Sequence, residues 1–397
     1  MKQNIKIVIG SNFGDEGKGL ATDFFSQSPN TLVVMSNGGA QRGHTVTTNS
    51  EVSHIFKHFS SGSFRFADTY FSSFFILNPM TFRTEYKKLF DDVFPKLGLT
   101  NKISVFCNQN CRWTTPYDIM VNQIVEEVRD KNRHGSCGMG IWETVNRYNK
   151  DVCFPNIFTF NKYEKDVKIS MLKAIRDTYF INRLKELGVS SVPLSWVDIF
   201  YSDELITNFI SDVSFFCSTV FCSNSFIIKK YKNVVFENGQ GLLLDADATF
   251  YGDNTTPTNT GLTNIVRILE SVYSNDELQK LNIEVCYVSR TYMTRHGVGL
   301  FVTECKKELL NKDMFDESNV DNEFQGQLRY GELIVENLEK RILSDFSKIS
   351  FCESAKKSIL FTHTNEVGID IGRLSIDKFN TIYVSNGRTA DTVKILK

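Results

Sequence analysis

The chain has 397 residues, of which 41% are hydrophobic and 23% charged, enough apolar material for one large packed domain. Its 45 basic and 46 acidic residues nearly cancel, so no global field draws it to nucleic acid or to an anionic membrane surface. No run approaches the roughly 18 uninterrupted apolar residues of a membrane span. The nine cysteines are scattered without C-x-x-C pairs, so reduced thiols in a cytoplasmic protein are expected.

The chain opens on an apolar run, Ile5 to Ile9, that leads straight into a glycine loop and therefore reads as a buried strand, not a signal peptide. Further runs of strand length follow at Thr31 to Met35, Ile103 to Phe106, Val234 to Phe236, Ile283 to Val288, Ser358 to Phe361 and Thr381 to Val384. Between them, apolar residues at three- and four-residue spacing predict helices over Tyr117 to Asp130, Glu164 to Leu187, Thr263 to Val272 and Glu332 to Asp345. Strands alternating with helices predict an α/β fold with a largely parallel central sheet flanked by helices. No repeat or low-complexity tract interrupts it, so residues 1–397 are expected to form one domain with insertions.

The loop after the first strand, GSNFGDEGKG from Gly10 to Gly19, opens a predicted helix over Gly17 to Ser26. Backbone amides at such a helix start attract phosphate. The segment is neither a Walker A loop, which wants glycine at Asn12 and a hydroxyl at Gly19, nor a G-x-G-x-x-G turn. It combines Lys18, a charge for phosphate, with two carboxylates, Asp15 and Glu16. Carboxylates beside phosphate repel it unless a metal bridges the two or the carboxylate acts as a base, so the loop suggests phosphoryl transfer with Mg²⁺.

After the second strand, SNGGAQRGHT from Ser36 to Thr45 packs three glycines around polar residues and ends on His44. A histidine on a glycine loop is free to approach a ligand. His54 and His58 lie four apart, but the sequence offers no acidic third ligand near them for zinc.

Together the two loops resemble adenylosuccinate synthetase, whose pattern carries G-D-E-G-K-G after the first strand and G-G-x-x-x-G-H-T after the second. Later segments agree in order: Glu237 to Gly241 (ENGQG) with Asp245 and Asp247, then Thr294 and Arg295 followed by Gly297, Gly299, Thr303 and Glu304, and Arg388 and Thr389 near the end. The resemblance implies a P-loop-NTPase-like fold and a reaction in which GTP or ATP phosphorylates the 6-oxo group of IMP, after which the amine of aspartate displaces the phosphate. It implies that Asp15 takes the purine N1 proton and holds Mg²⁺ with the carbonyl of Gly43. His44 would act as general acid on the transferring phosphoryl group, Lys18 would neutralise phosphate charge, and Gln240 would orient the 6-oxo group.

The resemblance further assigns Gly14, Glu16, Gly17, Gly19, Gln41, Gly43, Thr45, Arg295, Asn365, Ser385 and Gly387 to nucleotide and phosphate binding. Ser136, Cys137 and Thr255 would hold the monophosphate, and Thr294 and Arg329 the amino acid. A homodimer is implied, with Arg147 as the arginine reaching across its interface.

Three departures bear on the substrates. The family reads guanine with the aspartate of a T-K-L-D run, whereas Thr362 to Asn365 read THTN here, and a neutral amide offers one acceptor and a donor in place of a carboxylate. ATP is therefore open beside GTP. The amino-acid loop, usually Thr-Thr-Gly-Arg with further arginines, is shortened over Asn322 to Gly331 and keeps one arginine, Arg329. Each lost charge-assisted pair would cost about 1.5–3 kcal/mol of binding. Cys137 stands where threonine is usual and Gln41 where asparagine is.

Phage enzymes that make 2-aminoadenylosuccinate from dGMP resemble this family but carry serine at the position of Asp15. Retention of Asp15 favours IMP, while Asn365 leans towards those ATP-using relatives. A different class, a nucleotide-binding regulator that has lost synthesis, is suggested by the reduced loop around Arg329.

Overall fold

The computed structural model describes residues 3–99, 103–133, 135–252, 254–314, 326–368 and 375–397. Ten strands form one sheet: β1 (Asn4–Gly10), β2 (Thr31–Met35), β3 (Asp68–Phe71), β4 (Val105–Cys107), β5 (Phe221–Cys222), β6 (Asn233–Gly241), β7 (Asn282–Arg290), β8 (Lys356–Thr362), β9 (Thr381–Ser385) and β10 (Val393–Ile395). Their order is β10-β9-β8-β7-β1-β6-β2-β3-β4-β5, and each neighbouring pair is parallel except β9 with β10. The α/β reading with a largely parallel, helix-flanked sheet therefore holds.

The central strands are buried on both faces, which is why they read as continuous apolar runs and not as alternation. In β1, Ile5, Ile7 and Ile9 enter the core on one side with Leu32, Val34, Phe236 and Val285, while Val8 enters the opposite core with Val33, Val235 and Val288. The first core is closed by α4 (Thr263–Val272) and α5 (Val335–Phe346), whose Ile265, Leu269, Leu338 and Ile342 are buried in it. The second contains residues of α1 (Lys18–Phe25) and α2 (Pro116–Arg129) and most of the phenylalanines. α3 (Ile141–Asn149) packs on α2.

Helix α2 begins where Thr115 and Asp118 form a reciprocal capping box with Pro116 at the first turn, so its start is fixed locally. The helix expected over Glu164 to Leu187 forms, but with a π turn at Arg176–Phe180 between Lys165–Ile175 and Ile181–Glu186. Among the elements missed were the interior strand β3, the edge strands β5 and β10, the hairpin His44–Thr47/Ser53–Phe56, and the helices α3, Pro79–Lys87 and Asp203–Thr219. No helix among the described residues is long and apolar enough to cross a membrane.

Candidate active site

Parallel strands direct their carboxyl ends to one edge, where loops can surround a ligand. Here the loops after β1, β2, β6, β8 and β9, together with Arg290 at the end of β7, line one cleft of about 1060 Å³. It gathers Gly14, Asp15, Gly17, Lys18 and Gly19 from the first loop, Gln41, Gly43, His44 and Thr45 from the second, Gln240 from β6, and Arg295, Asn365 and Gly387. Most of the residues singled out in the sequence thus meet in one place.

The first loop is held by its own carboxylate. Glu16 Oε1 accepts from the backbone amides of Asn12 and Gly14, each at 2.8 Å, and Oε2 lies 3.2 Å from Lys18 Nζ. The side chain of Glu16 is thus turned into the loop, 2% of the residue is exposed and it does not line the cleft, so its carboxylate supports the loop and any phosphate contact of Glu16 falls to its backbone. Asp15 faces the other way. Its carboxylate is 29% exposed and lies 3.6 Å from His296 Nε2, while its backbone carbonyl accepts from Arg290 Nε.

Glycine is required where elements touch. A Cβ on Gly19 would lie 2.6 Å from the carbonyl of Thr45, so its absence lets α1 press against the strand that carries His44. Gly14 adopts φ 118° with the Gln240 backbone beneath it.

His44 begins the hairpin strand His44–Thr47, and its Nδ1 lies 2.6 Å from Oε1 of Glu237, a carboxylate with no exposed surface. So short a contact between a ring nitrogen and a carboxylate oxygen needs a proton on Nδ1. Arg42 Nη2 lies 3.0 Å from the same nitrogen and forms an ion pair with Glu237 Oε1 at 2.7 Å. Ser61 adds its amide and hydroxyl to the same carboxylate. The remaining ring nitrogen, Nε2, is left for the cleft. Burial, followed by the charge of Arg42, pushes the His44 pKa down to about 3, whereas Arg42 and His44 hold Glu237 down at about 2 against the effect of its burial. The free site therefore carries a neutral imidazole, and the general-acid role expected of His44 requires a proton that arrives with an anionic ligand.

Gln240 sits at φ 55°, and its Oε1 is 3.5 Å from Gln41 Nε2, so the two amides lie side by side. Oxygen donors on Asp15 and the carbonyl of Gly43, both lining the cleft, suit a hard divalent cation whose other ligands would be phosphate and water. Among the described residues no three histidine, cysteine or acidic side chains form a metal cluster. His54 and His58 do have an acid beside them, Glu85, at 3.5 and 4.0 Å. Yet His58 Nε2 accepts from the Asn78 amide at 2.9 Å, which leaves its proton on Nδ1 facing that acid and no lone pair there for zinc.

Several expected site residues lie elsewhere. Ser136 Oγ accepts from Asn122 at 2.8 Å, Cys137 adjoins it, and Trp142 at the start of α3 donates to the Thr255 carbonyl at 3.2 Å. This second cluster does not line the cleft. Thr294 and Ser385 are buried in their strands. Arg329, expected to grip the amino acid, is paired with Glu304 and donates to the carbonyls of Gly297 and Gly299 at 3.0 and 2.9 Å. Residues 322–325 of its loop lie outside the described residues.

Arg147 contradicts its assignment to a partner's site. It has no exposed surface, forks onto Asp118 at 3.0 Å through Nε and Nη2, and donates to the Trp113 carbonyl at 2.8 Å. Burial behind the capping box leaves it no route out of its own chain. Sequence reading gave no role to Arg42, Arg290 and His296, nor to Glu237, although Glu237 opens the ENGQG segment that carries the resemblance. Glu237 did leave a trace, an acid closing the apolar run of β6.

The profile of the adenylosuccinate synthetase family matches residues 7–326. The adenylosuccinate synthetase of Wigglesworthia glossinidia brevipalpis is 27% identical over 315 residues, 78% of this chain and 67% of that one. That of Ligilactobacillus salivarius is 28% identical over 314 residues, 76% of this chain and 65% of that one. The match thus spans about two thirds of the length of these relatives. Among solved structures, fully ligated adenylosuccinate synthetase from Plasmodium falciparum superposes with a TM-score of 0.70 at 14% identity, covering 99% of this chain and 100% of the other. The succinoaminodeoxyadenylate synthetase of cyanophage S-2L, bound to dGMP and dATP, gives 0.63 at 12% identity, covering 100% and 96%. These two likenesses establish the fold, and the profile running over both glycine loops and on through β6 and β7 establishes descent: the chain belongs to the adenylosuccinate synthetase family.

Proposed function

We propose that the chain is a cytoplasmic, Mg²⁺-dependent carbon–nitrogen ligase that uses GTP or ATP to phosphorylate the 6-oxo group of IMP, or a close purine analogue, and joins that carbon to the amine of aspartate. The observation that supports it is the placement of Asp15 and His44 on the walls of one cleft, one an available carboxylate and the other a neutral imidazole backed by Glu237. A base for the purine N1 proton and a donor for the phosphorylated oxygen must act on different atoms of the ring.

Asp15 and the Gly43 carbonyl would hold the cation, which supplies charge neutralisation between the phosphates. Asp15 removes the N1 proton, and Gln240 orients the oxo group. His44 donates through Nε2 once the phosphates raise its proton affinity. Lys18, 1% exposed and fixed by the Gly14 carbonyl and Glu16, presents its charge to the phosphate side of the loop. Asn365 lines the triphosphate end and lacks the negative charge that pairs with guanine N1–H and N2–H, so GTP loses its advantage over ATP. Assembly as a homodimer rests on the family resemblance alone.

The test is orthophosphate release from GTP or ATP that requires both a purine monophosphate and aspartate, and that is lost in Asp15→Asn while nucleotide binding persists. Absence of release with IMP, dGMP and the other purine monophosphates would overturn it.

The Arg329–Glu304 pair favours a second reading, a nucleotide-binding regulator without synthesis, because the amino-acid grip is closed on itself. Calorimetry separates the two: tight nucleotide binding without turnover, unaffected by Asp15→Asn or His44→Ala, supports the regulator.

A further inference from the structure

Behind the first loop lies a second cavity of about 400 Å³, within the range of small-molecule pockets. Its walls are Phe13, Tyr251, Phe301, Leu243 and Met293, and one end is basic. That end belongs to α5, where Asn337, Lys340 and Arg341, at i, i+3 and i+4, line the cavity from one helix face. Phe13 meets Tyr251 and Phe301 edge-on, with centroids 5.4 and 5.3 Å apart. Such walls favour a flat ring over an aliphatic chain.

No carboxylate of the described residues pairs directly with the charges at that end. Arg341 donates to the carbonyl of Ser11 at 3.2 Å and to Asn12 Oδ1, two uncharged acceptors. Among the described residues no carboxylate forms a salt bridge with Arg341 or Lys340. A partly buried guanidinium without a direct ion pair, whose nearest acting carboxylate, Glu16, is already held by Lys18 and the loop amides, stands beside an exposed lysine and an aromatic chamber and matches a ligand with one anionic group on a planar body.

Phe13 is the wall shared by this cavity and the catalytic cleft. On the cleft side Arg295 stacks over its ring, with the guanidinium carbon 4.5 Å from the centroid. The residues that Arg341 grips, Ser11 and Asn12, belong to the loop that carries Gly14 and Asp15.

We propose that this cavity is a second ligand site, distinct from the cleft, that takes a small planar aromatic anion, with Arg341 and Lys340 on the anionic group and Phe13, Tyr251 and Phe301 around the ring. Occupancy is read by the phosphate loop through Phe13 and through the bonds of Arg341 to Ser11 and Asn12. Nothing in this assignment depends on the ligase reading.

The probe is 2-naphthoate, titrated by calorimetry into the full chain with and without saturating ATP. The expected result is binding at one site that ATP does not displace, with 2-naphthamide, the neutral isostere, binding at least about tenfold more weakly. Lys340→Gln is expected to weaken 2-naphthoate about tenfold. Val302→Trp, at the exposed rim, is expected to abolish its binding while leaving the melting temperature and ATP binding unchanged. Because Arg341 also supports the loop, Arg341→Gln is read only alongside these two variants. Competition by ATP, equal affinity for acid and amide, or 2-naphthoate binding that survives both Lys340→Gln and Val302→Trp overturns the proposal.

Discussion

Glu237 Oε1 lies 2.6 Å from Nδ1 of His44 and 2.7 Å from Arg42 Nη2, so one fully buried oxygen fixes the tautomer of the imidazole and neutralises the arginine beside it. Glu237→Gln removes the charge, keeps the shape and can turn its amide N–H towards Nδ1, which would move the ring proton to Nε2. Turnover is expected to fall by about 10² to 10⁴, the usual worth of a positioned proton donor or acceptor. Stability is expected to fall by about 3–5 kcal/mol, because Arg42 is left as an uncompensated buried charge. Turnover within about twofold of wild type would show that His44 does not work through Glu237.

The first strand and its glycine loop were legible because their signals are local: a both-sides-buried strand is a continuous apolar run, and the loop's glycines and charges follow within ten residues. The support of His44 was not, since Glu237 is 193 positions away and is brought beside it only by the placement of β6 between β1 and β2. The role of the Glu16 side chain was hidden for a related reason. Sequence shows a carboxylate in an anion-binding loop but not its direction, and direction is decided by the Asn12 and Gly14 amides, which need an acceptor once buried. The edge strands β5 and β10, of two and three residues, carry too little pattern to be read without their neighbours.

His58 gives a pH dependence of stability. It is fully buried, its Nε2 accepts from the Asn78 amide, and burial first, then the charges of Arg42 and Lys57, lowers its pKa from 6.5 to about 3. The unfolded chain binds a proton below pH 6.5 that the folded chain refuses, so stability is lost as pH falls from 6.5 towards 3. The expected share from this residue is about 2 kcal/mol by pH 5. Urea unfolding of wild type and His58→Phe at pH 7 and pH 5 checks it. The variant starts lower, by about 1–3 kcal/mol for the orphaned Asn78 amide, but loses less on acidification. Equal losses in the two proteins would refute the assignment.

Arg147 is predicted to act on folding and not on association. Arg147→Met should cost about 3–5 kcal/mol, since Asp118 would stay charged and buried inside the capping box of α2. Adding Asp118→Asn should recover part of that loss, because the stranded charge goes with it. Sedimentation should give the same mass for the single variant as for wild type. A stable variant with a changed mass would return Arg147 to an interface role.

Glu304 is predicted to restrain amino-acid binding. Its carboxylate, 44% exposed, holds the Arg329 guanidinium, 24% exposed, and the arginine beside it keeps the Glu304 carboxyl below the usual glutamate range. An exposed pair of this kind contributes only about 0–1 kcal/mol to stability, so Glu304→Gln should fold normally and release the guanidinium from a competing carboxylate. If Arg329 recognises the amine donor's carboxylate, KM for aspartate should fall roughly threefold to tenfold, a shift matching the loss of a weak exposed ion pair, while KM for the purine monophosphate stays constant. An unchanged KM for aspartate would assign the carboxylate instead to Arg295, whose guanidinium already lines the cleft and whose buried Nε has no hydrogen-bond partner. Arg295→Gln would then raise that KM where Arg329→Gln would not.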